Sequence, residues 1–390
     1  MFNRAFASPN LRNPLWKFLY LPPGPLGEYL PKPSLSHLHP VRYSADFLAI
    51  TSTPYFSFSP PEMVRPHLIA FASLVGLVAA QTGVVGSAAG FAKGVTGGGD
   101  ATPAVPADVD ELTSWLTDDE PRVILLDKEY NFLESEGTTT EDGCRPDSNT
   151  CGSSGQDALD GPNWCSADYP VVSVTYDVAA TKPIDIKSNK SIVGVGDKGV
   201  VRGKGFRLVS GAKNIIFQNF HITELNPQYI WGGDAIQMSG TDLVWVDHMK
   251  FSLIGRQMLV TGYETAGHVT ISNCELDGTT KWSASCNGEH YWTMLFLGEN
   301  DKITLANNWI HDTSGRSPKV GEAVTLHAVN NFFDTNGGYV IHVSILFSNY
   351  LLIERSQPQF RCRSRRSDPN GGQRLQKLQG TRVRRYVGAD

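Results

Sequence analysis

The sequence predicts an all-β fold, a single-stranded parallel β-helix with a short N-terminal capping helix. A strand-like phrase that runs into Asn or Asp recurs roughly every 20 to 35 residues, the spacing of solenoid proteins. One short coil cannot bury its own apolar face, whereas stacked coils can, and their Asn amides can form a ladder along the stack. Such a fold offers a long open groove that suits a polymer. The copies are Lys190–Gly196, Asn214–Phe220, Asp242–His248, His268–Asn273, Lys302–Asn308 and Ala323–Asn331.

Composition adds limits on partners and on domain number. The 390 residues carry a net charge of −5, and nothing in the main body indicates nucleic-acid binding. The length would allow two or three average domains, but a repeat of this kind grows as one body. Residues 1–62 are rich in Pro and show no period, so we interpret them as a disordered or mistranslated leader.

A second beginning is visible at Met63. Arg65 and His67 form a short basic region, Leu68–Val78 is an apolar run too short to cross a bilayer, and small residues end it at Ala80. Residues 63–80 therefore predict a secretory signal peptide and an extracellular protein. The alternative is a buried apolar segment of a longer chain.

The repeat predicts a β-helix domain over residues 81–339, and the character of the chain changes after Tyr339. Residues 340–390 are interpreted as an aberrant basic tail foreign to the fold, from a frameshift or an unspliced intron, because the period stops abruptly. A last coil without its cap would expose an open strand edge. The alternative is a tail that binds polyanions, including acidic pectin. Its basic residues are Arg361, Arg363, Arg365, Arg366, Arg374, Lys377, Arg382, Arg384 and Arg385.

The segment before the repeats carries signals for a turn, a helix and a strand. Gly90–Gly99 lacks the phosphate-binding pattern and predicts a tight structural turn. Asp108-Val-Asp-Glu111 has capping-box spacing and predicts a helix that closes the N-terminal end of the solenoid. Arg122–Leu126 follows as the first strand. The apolar face of this helix would comprise Val109, Leu112 and Leu116.

Six cysteines and a secretory signal make disulfides plausible, although six thiols allow fifteen connectivities. Three of them lie in the Gly/Ser/Asp-rich loop Glu141–Asp168, which is long enough to need a covalent cross-link. A zinc site is disfavoured because no paired C-x-x-C set is present.

Six separated motifs occur in an order that resembles the fungal pectin lyases, in the same superfamily as the pectate lyases. The resemblance runs from about Gly83 to Tyr339. The motifs are Gly94–Gly98, Trp231–Ile236, Val244–His248, Ile254–Gln257, His290–Trp292 and Thr313–Val320. The family's fold is a right-handed parallel β-helix, and its reaction is calcium-independent eliminative cleavage of α-1,4-linked methyl-galacturonate.

By motif matching, the resemblance implies a set of site residues. The catalytic arginine falls on Arg316, the arginine that takes the place of calcium on Arg256, an acidic groove residue on Asp234 and a supporting lysine on Lys319. It implies that the protein uses no metal or other cofactor and that its partner is methyl-esterified pectin. It also implies a monomer that binds neither nucleic acid nor a membrane. Implied aromatic groove walls are Trp164, Trp231 and Trp292, with Tyr291 beside them, and implied disulfides are Cys144–Cys165 and Cys151–Cys286. This chain departs from the family at Asp147, where a further tryptophan is usual, and in lacking the later coils and the C-terminal disulfide.

The chemistry of elimination agrees with these residue types. The C5 proton must be removed, and the enolate-like charge that follows must be stabilised by cations. A methyl ester needs no divalent ion to cancel a carboxylate, so a fixed guanidinium at Arg256 can serve instead. Arg316 can act as base only if its pKa is lowered by desolvation and by the neighbouring charges of Arg256 and Lys319.

Several roles stay open at this point. Asp234 could orient a hydroxyl, steady Arg256 or simply form a turn. Asp247 and His248 are expected to be structural partners. Asn189 begins a lone glycosylation sequon. The alternative functions are a calcium-dependent pectate lyase and an inactive polysaccharide-binding β-helix. Other histidines expected to be structural are His290, His311 and His327.

Overall fold

The computed structural model describes residues 83–161, 163–321, 323–338 and 340–343, and the backbone of 351–354. All of them belong to one compact unit, Val75–Asp390. The predicted leader, the predicted signal peptide and most of the predicted tail, including Cys362, lie outside the described residues. None of the helices in the described part is long and apolar enough to cross a membrane.

Strands dominate the described part of the chain. Two α-helices are α1 (Val109–Thr117) and α2 (Val178–Thr181), and two 3₁₀ turns are Gly90–Ala92 and Gly152–Ser154. The first strands are β1 (Arg122–Leu126), β2 (Glu129–Asn131), β3 (Thr138–Cys144), β4 (Asp157–Ala158), β5 (Val171–Asp177), β6 (Ile184–Asp185), β7 (Lys190–Gly194), β8 (Val200–Arg202) and β9 (Phe206–Leu208). They are followed by β10 (Lys213–Gln218), β11 (His221–Leu225), β12 (Tyr229–Ile230), β13 (Ile236–Met238), β14 (Asp242–Asp247), β15 (Lys250–Ile254), β16 (Leu259–Thr261), β17 (His268–Ser272) and β18 (Glu275–Asp277). The last are β19 (Met294–Phe296), β20 (Lys302–Ala306), β21 (Trp309–His311), β22 (Lys319–Val320), β23 (Thr325–Val329), β24 (Phe332–Asp334), β25 (His342–Val343) and β26 (Leu351–Glu354).

The described strands form three parallel sheets that run the length of a right-handed β-helix. Sheet 1 has the order β1-β7-β10-β14-β17-β20-β23-β26, sheet 2 the order β2-β8-β11-β15-β18-β21-β24, and sheet 3 the order β6-β9-β13-β16-β19-β22-β25. Each coil contributes one strand to each sheet in turn, which is the winding of a parallel solenoid. All six recurring phrases of the sequence fall in sheet 1, so the predicted fold is confirmed. The strands β12, β4, β3 and β5 form a smaller mixed sheet, separate from the three sheets of the β-helix.

Asn recurs in the phrases for two separate reasons. The residue directly after β10, β17 and β20 adopts a left-handed backbone conformation, with φ of 61° at Asn219, 54° at Asn273 and 58° at Asn307. Asn tolerates this region better than other side chains. The predicted amide ladder exists one residue later, where Asn308 Nδ2 donates to Asn331 Oδ1 at 2.8 Å inside the stack.

The core and the N-terminal closure follow the predicted pattern. The Asp108 carboxylate accepts from the backbone N–H groups of Asp110 and Glu111, and Glu111 reaches back to the N–H of Ala107, one residue before the cap, so the arrangement is a variant of the capping box. Leu112 and Leu116 are fully buried in the main apolar core. The Gly-rich turn is structural, since Gly98 N–H donates to Ser191 on sheet 1.

The fold continues past the predicted boundary at residue 339. β25 pairs with β22, and β26 pairs in parallel register with β23, so Leu351 lies beside Leu326. The apolar run Leu351-Leu-Ile353 can extend sheet 1 although it lacks the Asn that marks earlier coils. The interpretation of residues 340–390 as an aberrant basic tail stays a prediction.

The two roles of Asn predict different costs on replacement. Asn331→Ala leaves two donors of the buried Asn308, its N–H and Nδ2, without their acceptor and is expected to cost ~3 kcal/mol. Asn307→Ala, on the exposed turn, is expected to cost about 1 kcal/mol for the left-handed backbone, and Asn307→Gly less. Urea unfolding of the three variants measures the loss in the free energy of unfolding. Equal losses for Asn307→Ala and Asn331→Ala would contradict the distinction.

Stability is expected to fall in acid because of two histidines, the buried His290 and the half-buried His221. Desolvation lowers the pKa of His221 and of His290 to about 4, from 6.5. As pH falls from 6.5 to 4 the unfolded chain binds protons that the folded chain does not, so each histidine removes up to ~3 kcal/mol of stability. Thermal melts between pH 7 and 4 measure the loss. His290→Gln should flatten part of this dependence, and an unchanged slope would contradict the assignment.

Candidate active site

All four predicted catalytic residues lie along sheet 3. Asp234 precedes β13, Arg256 precedes β16, Arg316 precedes β22, and Lys319 begins β22. Since β13, β16, β19 and β22 are neighbours in that order, Asp234 and Arg256 come from adjacent coils of one flank, and the coil of β19 lies between Arg256 and Arg316. Parallel strands lie about 4.8 Å apart, so residues from neighbouring coils meet within the length of one side chain.

Arg256 and Asp234 form a buried two-point ion pair. Arg256 Nε and Nη2 donate to the two Asp234 oxygens at 2.9 and 2.8 Å, and the N–H of Gln257 adds a third hydrogen bond at 2.8 Å. The Arg256 guanidinium also stacks 3.6 Å from the centre of the Trp231 ring. Of the roles left open for Asp234, the structure supports the one that steadies Arg256. Both carboxylate oxygens are engaged, so Asp234 does not present an open ligand set to a cation.

Arg316 lies against an aromatic support. Its guanidinium carbon is 4.5 Å from the centre of the Trp292 ring and 5.8 Å from that of Tyr291, within the range of cation–π attraction. Its backbone is left-handed, with φ of 48°, an unusual conformation for a long side chain that tends to mark functional sites. Gly315 is needed here because a Cβ would come within 2.4 Å of the Tyr291 ring.

Lys319 supplies the like charge that was expected near Arg316. Burial first, and the positive charge of Arg316 second, lower the pKa of Lys319 from its usual value. The expected repulsion from Arg256 is offset, because Asp234 compensates that charge at contact distance. His342, in the neighbouring strand β25, has its pKa lowered by burial and by the charges of Lys319 and Arg316, so it faces the same cationic cluster.

The predicted aromatic walls form one cluster beside these cations. Trp164, Trp231 and Tyr291 are partly buried and pack against it. Trp292 is 4% exposed, and its Nε1 donates to Gln156 at 3.0 Å. Trp292 therefore differs from the prediction: it is a buried support under Arg316 rather than an open face for a sugar ring.

Two disulfides fix the wall of the groove. Cys144–Cys165 closes the loop after β3, and Cys151–Cys286 ties that loop to a later coil. Both pairings implied by the resemblance are confirmed. Gln156, from the same loop, donates to the carbonyls of Pro227 and Gly255, each at 2.9 Å. The loop is thus anchored next to Arg256. Asp147, where a groove tryptophan was expected, is exposed on this loop.

The polar residues interpreted as structural lie in hydrogen-bond networks. Buried Asp247 accepts from Gln218, Ser272, Asn273 and His248. Burial opposes its ionisation, but these hydrogen bonds prevail and its pKa lies below the usual value.

Two further predicted positions lie elsewhere in the stack. Asn189 is half-buried and accepts from Asn214 at 2.8 Å in the turn before β7, and its glycosylation stays a prediction. His290, also predicted to be structural, is buried, and its Nε2 donates to the Arg256 carbonyl at 2.8 Å. His327, predicted to be structural as well, lies on β23 in sheet 1.

One group within the described residues has metal-ligand geometry. The ligand atoms of Glu275, Asp277 and His311 lie within 4.8 Å of one another on sheet 2. Lys250 Nζ is 2.9 Å from Glu275 and 3.5 Å from Asp277, so an ammonium group already supplies the cation. The group is a partly buried ion-pair network on a different sheet from the arginines.

Three contributors to the site were missed by sequence reasoning. Gln257 contacts Asp234 and Arg316. Gln156 accepts from Trp292 and donates to the carbonyl of Gly255, next to Arg256. His290 donates to the Arg256 carbonyl and fixes the backbone there. Gln257 and His290 stand inside quoted motifs, which is a usable signal. Gln156 stands in the irregular loop and carries none.

The chain matches the family model described as "Pectate lyase" over residues 165–361. A probable pectin lyase F of Emericella nidulans is 61% identical over 282 residues, covering 72% of this chain and 60% of that protein. A probable pectin lyase E of Aspergillus fumigatus is 53% identical, covering 70% of this chain and 71% of that protein. A solved pectate lyase from Paenibacillus sp. 0602 aligns at 16% identity with a TM-score of 0.44, covering 63% and 64% of the two chains.

This chain spans about 60% of the length of the first curated relatives it matches. The fold itself was assigned above from strand order and register. Together with the family match over half of the chain, the identity to these relatives settles the grouping. The chain belongs to the pectate lyase family.

Proposed function

We propose that this protein is an extracellular pectin lyase that cleaves α-1,4-linked methyl-esterified galacturonan by β-elimination without calcium. The observation that carries the proposal is the buried Arg256–Asp234 pair beside Arg316. The Arg256 guanidinium is hydrogen-bonded to both oxygens of Asp234, the carboxylate that a divalent cation would otherwise use as a ligand. A site of this kind suits a neutral ester better than a galacturonate anion, which would need more positive charge to cancel it.

The reaction divides between the two arginines. Arg256 is held on two edges by Asp234 and on one face by Trp231, so its orientation is set before substrate binds. Its remaining N–H groups can donate to the ester carbonyl oxygen, where negative charge develops as the C5 proton leaves. A preorganised donor of this kind needs no reorganisation during the reaction.

Arg316 takes the C5 proton, and the C4 oxygen leaves with the electron pair of its bond as the double bond forms. Lys319 adds positive charge beside it and opposes the protonated state of Arg316. Bound polymer covers the cluster and strengthens these charge effects by excluding water.

Secretion is part of the proposal. The segment 63–80 has the charge and length pattern of a signal peptide. Two disulfides in the described region agree with an oxidising compartment. A polymeric substrate outside the cell and a monomeric enzyme complete the proposal.

The substrate and metal preferences are testable together. The secreted protein is incubated with highly esterified and with de-esterified pectin, each with and without chelator, while ultraviolet absorbance follows unsaturated ends. Product is expected only from the esterified polymer, at a rate that chelator does not change, because the Arg256–Asp234 pair fills the place of a cation. A signal on the de-esterified polymer that chelator abolishes would instead support a calcium-dependent pectate lyase.

Replacement of the proposed base is expected to affect the chemical step. Arg316→Lys should lower kcat by ~10²–10⁴-fold with a smaller change in KM, as expected for loss of a positioned base. The wild-type rate should rise towards alkaline pH, because the base acts only in its deprotonated form. Initial rates across pH measure both effects.

Arg202→Lys is the control, since Arg202 pairs with Glu224 on sheet 2, away from the site, and kcat should not change. An acidic optimum together with an unimpaired Arg316→Lys variant would overturn the assignment of Arg316 as base.

A further inference from the structure

Gln257 connects the two arginine centres. Its side chain is fully buried, which is unusual for an uncharged polar residue unless each group has a partner. Its backbone N–H donates to Asp234 Oδ1 at 2.8 Å, on the Arg256 side of the site. Its side chain extends to the other side, between Arg316 and the backbone of Trp292.

The orientation of the Gln257 amide follows from its neighbours. With its oxygen towards Arg316, it accepts from Nη1 at 2.6 Å, and its nitrogen donates to the Trp292 carbonyl at 3.2 Å. In the opposite orientation the oxygen would face only acceptors and the nitrogen only donors. A buried amide adopts the arrangement that satisfies both of its groups.

We propose that Gln257 is a positioning residue that sets the orientation of the Arg316 guanidinium over Trp292. The inference rests on the proposed function, in which Arg316 acts on the substrate. The Trp292 ring lies 4.5 Å from the guanidinium carbon, a contact that attracts the group but does not select which N–H edge faces the substrate. The hydrogen bond from Nη1 to Gln257 fixes one edge and thereby directs the opposite edge of the group.

The amide suits this position because it accepts without a charge. A carboxylate at the same place would pair with Arg316 and favour its protonated state. It would also set a second negative charge near Asp234 and turn an oxygen towards the Trp292 carbonyl. An apolar side chain of the same length would fill the space but supply no acceptor. Only a neutral acceptor orients the guanidinium without adding a negative charge that would favour its protonated state.

Gln257 thereby sets the distance between Arg256 and Arg316. The backbone of Gln257 is bonded to the carboxylate that holds Arg256, while its side chain holds Arg316. A displacement of either arginine by about 1 Å would be expected to reduce the rate by as much as 100-fold, because the base and the oxyanion donor act on one sugar.

Two variants of the full secreted chain test the proposal. Gln257→Met keeps the length and removes the acceptor, so kcat on esterified pectin should fall ~10–100-fold while KM changes less than about threefold. Gln257→Glu keeps an acceptor but adds a charge. Its kcat relative to wild type should decline as the new carboxyl ionises with rising pH, whereas the ratio for Gln257→Met should not vary with pH.

A matched control separates positioning from stability. Gln218 is also a buried glutamine, 2% exposed, but it lies on sheet 1 and bonds to Val85 and Asp247. Gln218→Met should lower the melting temperature and leave kcat unchanged. If Gln257→Met lowers the melting temperature as Gln218→Met does and leaves kcat at the wild-type value, Gln257 is a structural residue and the proposal is overturned.

A spectroscopic measurement decides the point without activity. In ¹⁵N spectra of the arginine side chains, the Arg316 signal is identified by its loss in Arg316→Lys. Restricted rotation of Nη1 in the wild type and its release in Gln257→Met support the proposal, and identical signals in both overturn it. Should the wild type make no unsaturated ends on esterified pectin, the proposed function fails, and these spectra still decide whether Gln257 positions Arg316.

Discussion

The parallel register between successive coils is the constraint on which the rest of the structure depends. A strand of sheet 1 finds its partners one coil earlier and one coil later, as Val244 does between Ile215 and Val269. The same register carries through the turns, so residues that precede the sheet 3 strands are brought side by side although dozens of residues separate them in sequence. Asp234 and Arg256 meet for this reason, and Arg316 lies two coils further along the same flank.

The register also explains how the site tolerates so much positive charge. Each cation has a different partner, which another coil of the stack supplies. Arg256 receives a carboxylate from the preceding coil, Arg316 receives an aromatic ring and an amide, and Lys319 is left with a lowered pKa. A surface cluster of three cations would be weakly held and screened by salt. Here the neighbouring coils hold each cation at a set place.

Much of the fold was predictable because it depends on local pattern. β1 was predicted with its observed bounds, and the capping box at Asp108 was identified by spacing alone. The catalytic set and the disulfides came from motif resemblance, since no local rule pairs Cys151 with Cys286 across 135 residues. The motif Ile254–Gln257 marks Gln257 itself, but the hydrogen bonds of Gln156 and Gln257 and the burial of Trp292 could not be predicted, because they depend on which side chains meet between coils. The pairing of β26 with β23 has no signal in the repeat pattern, because pairing needs only an extended apolar segment and not the Asn that ends earlier strands.

The link between Cys151 and Cys286 has a consequence for biosynthesis. A solenoid can begin to assemble from its first coils while synthesis continues. The Cys151–Cys286 bond, however, cannot form until residue 286 has been synthesised. Until that moment the Cys151 sulfur is open to exchange with other thiols and disulfides. The loop that carries Gln156 is therefore cross-linked to the stack only after most of the coils that form the stack have been made.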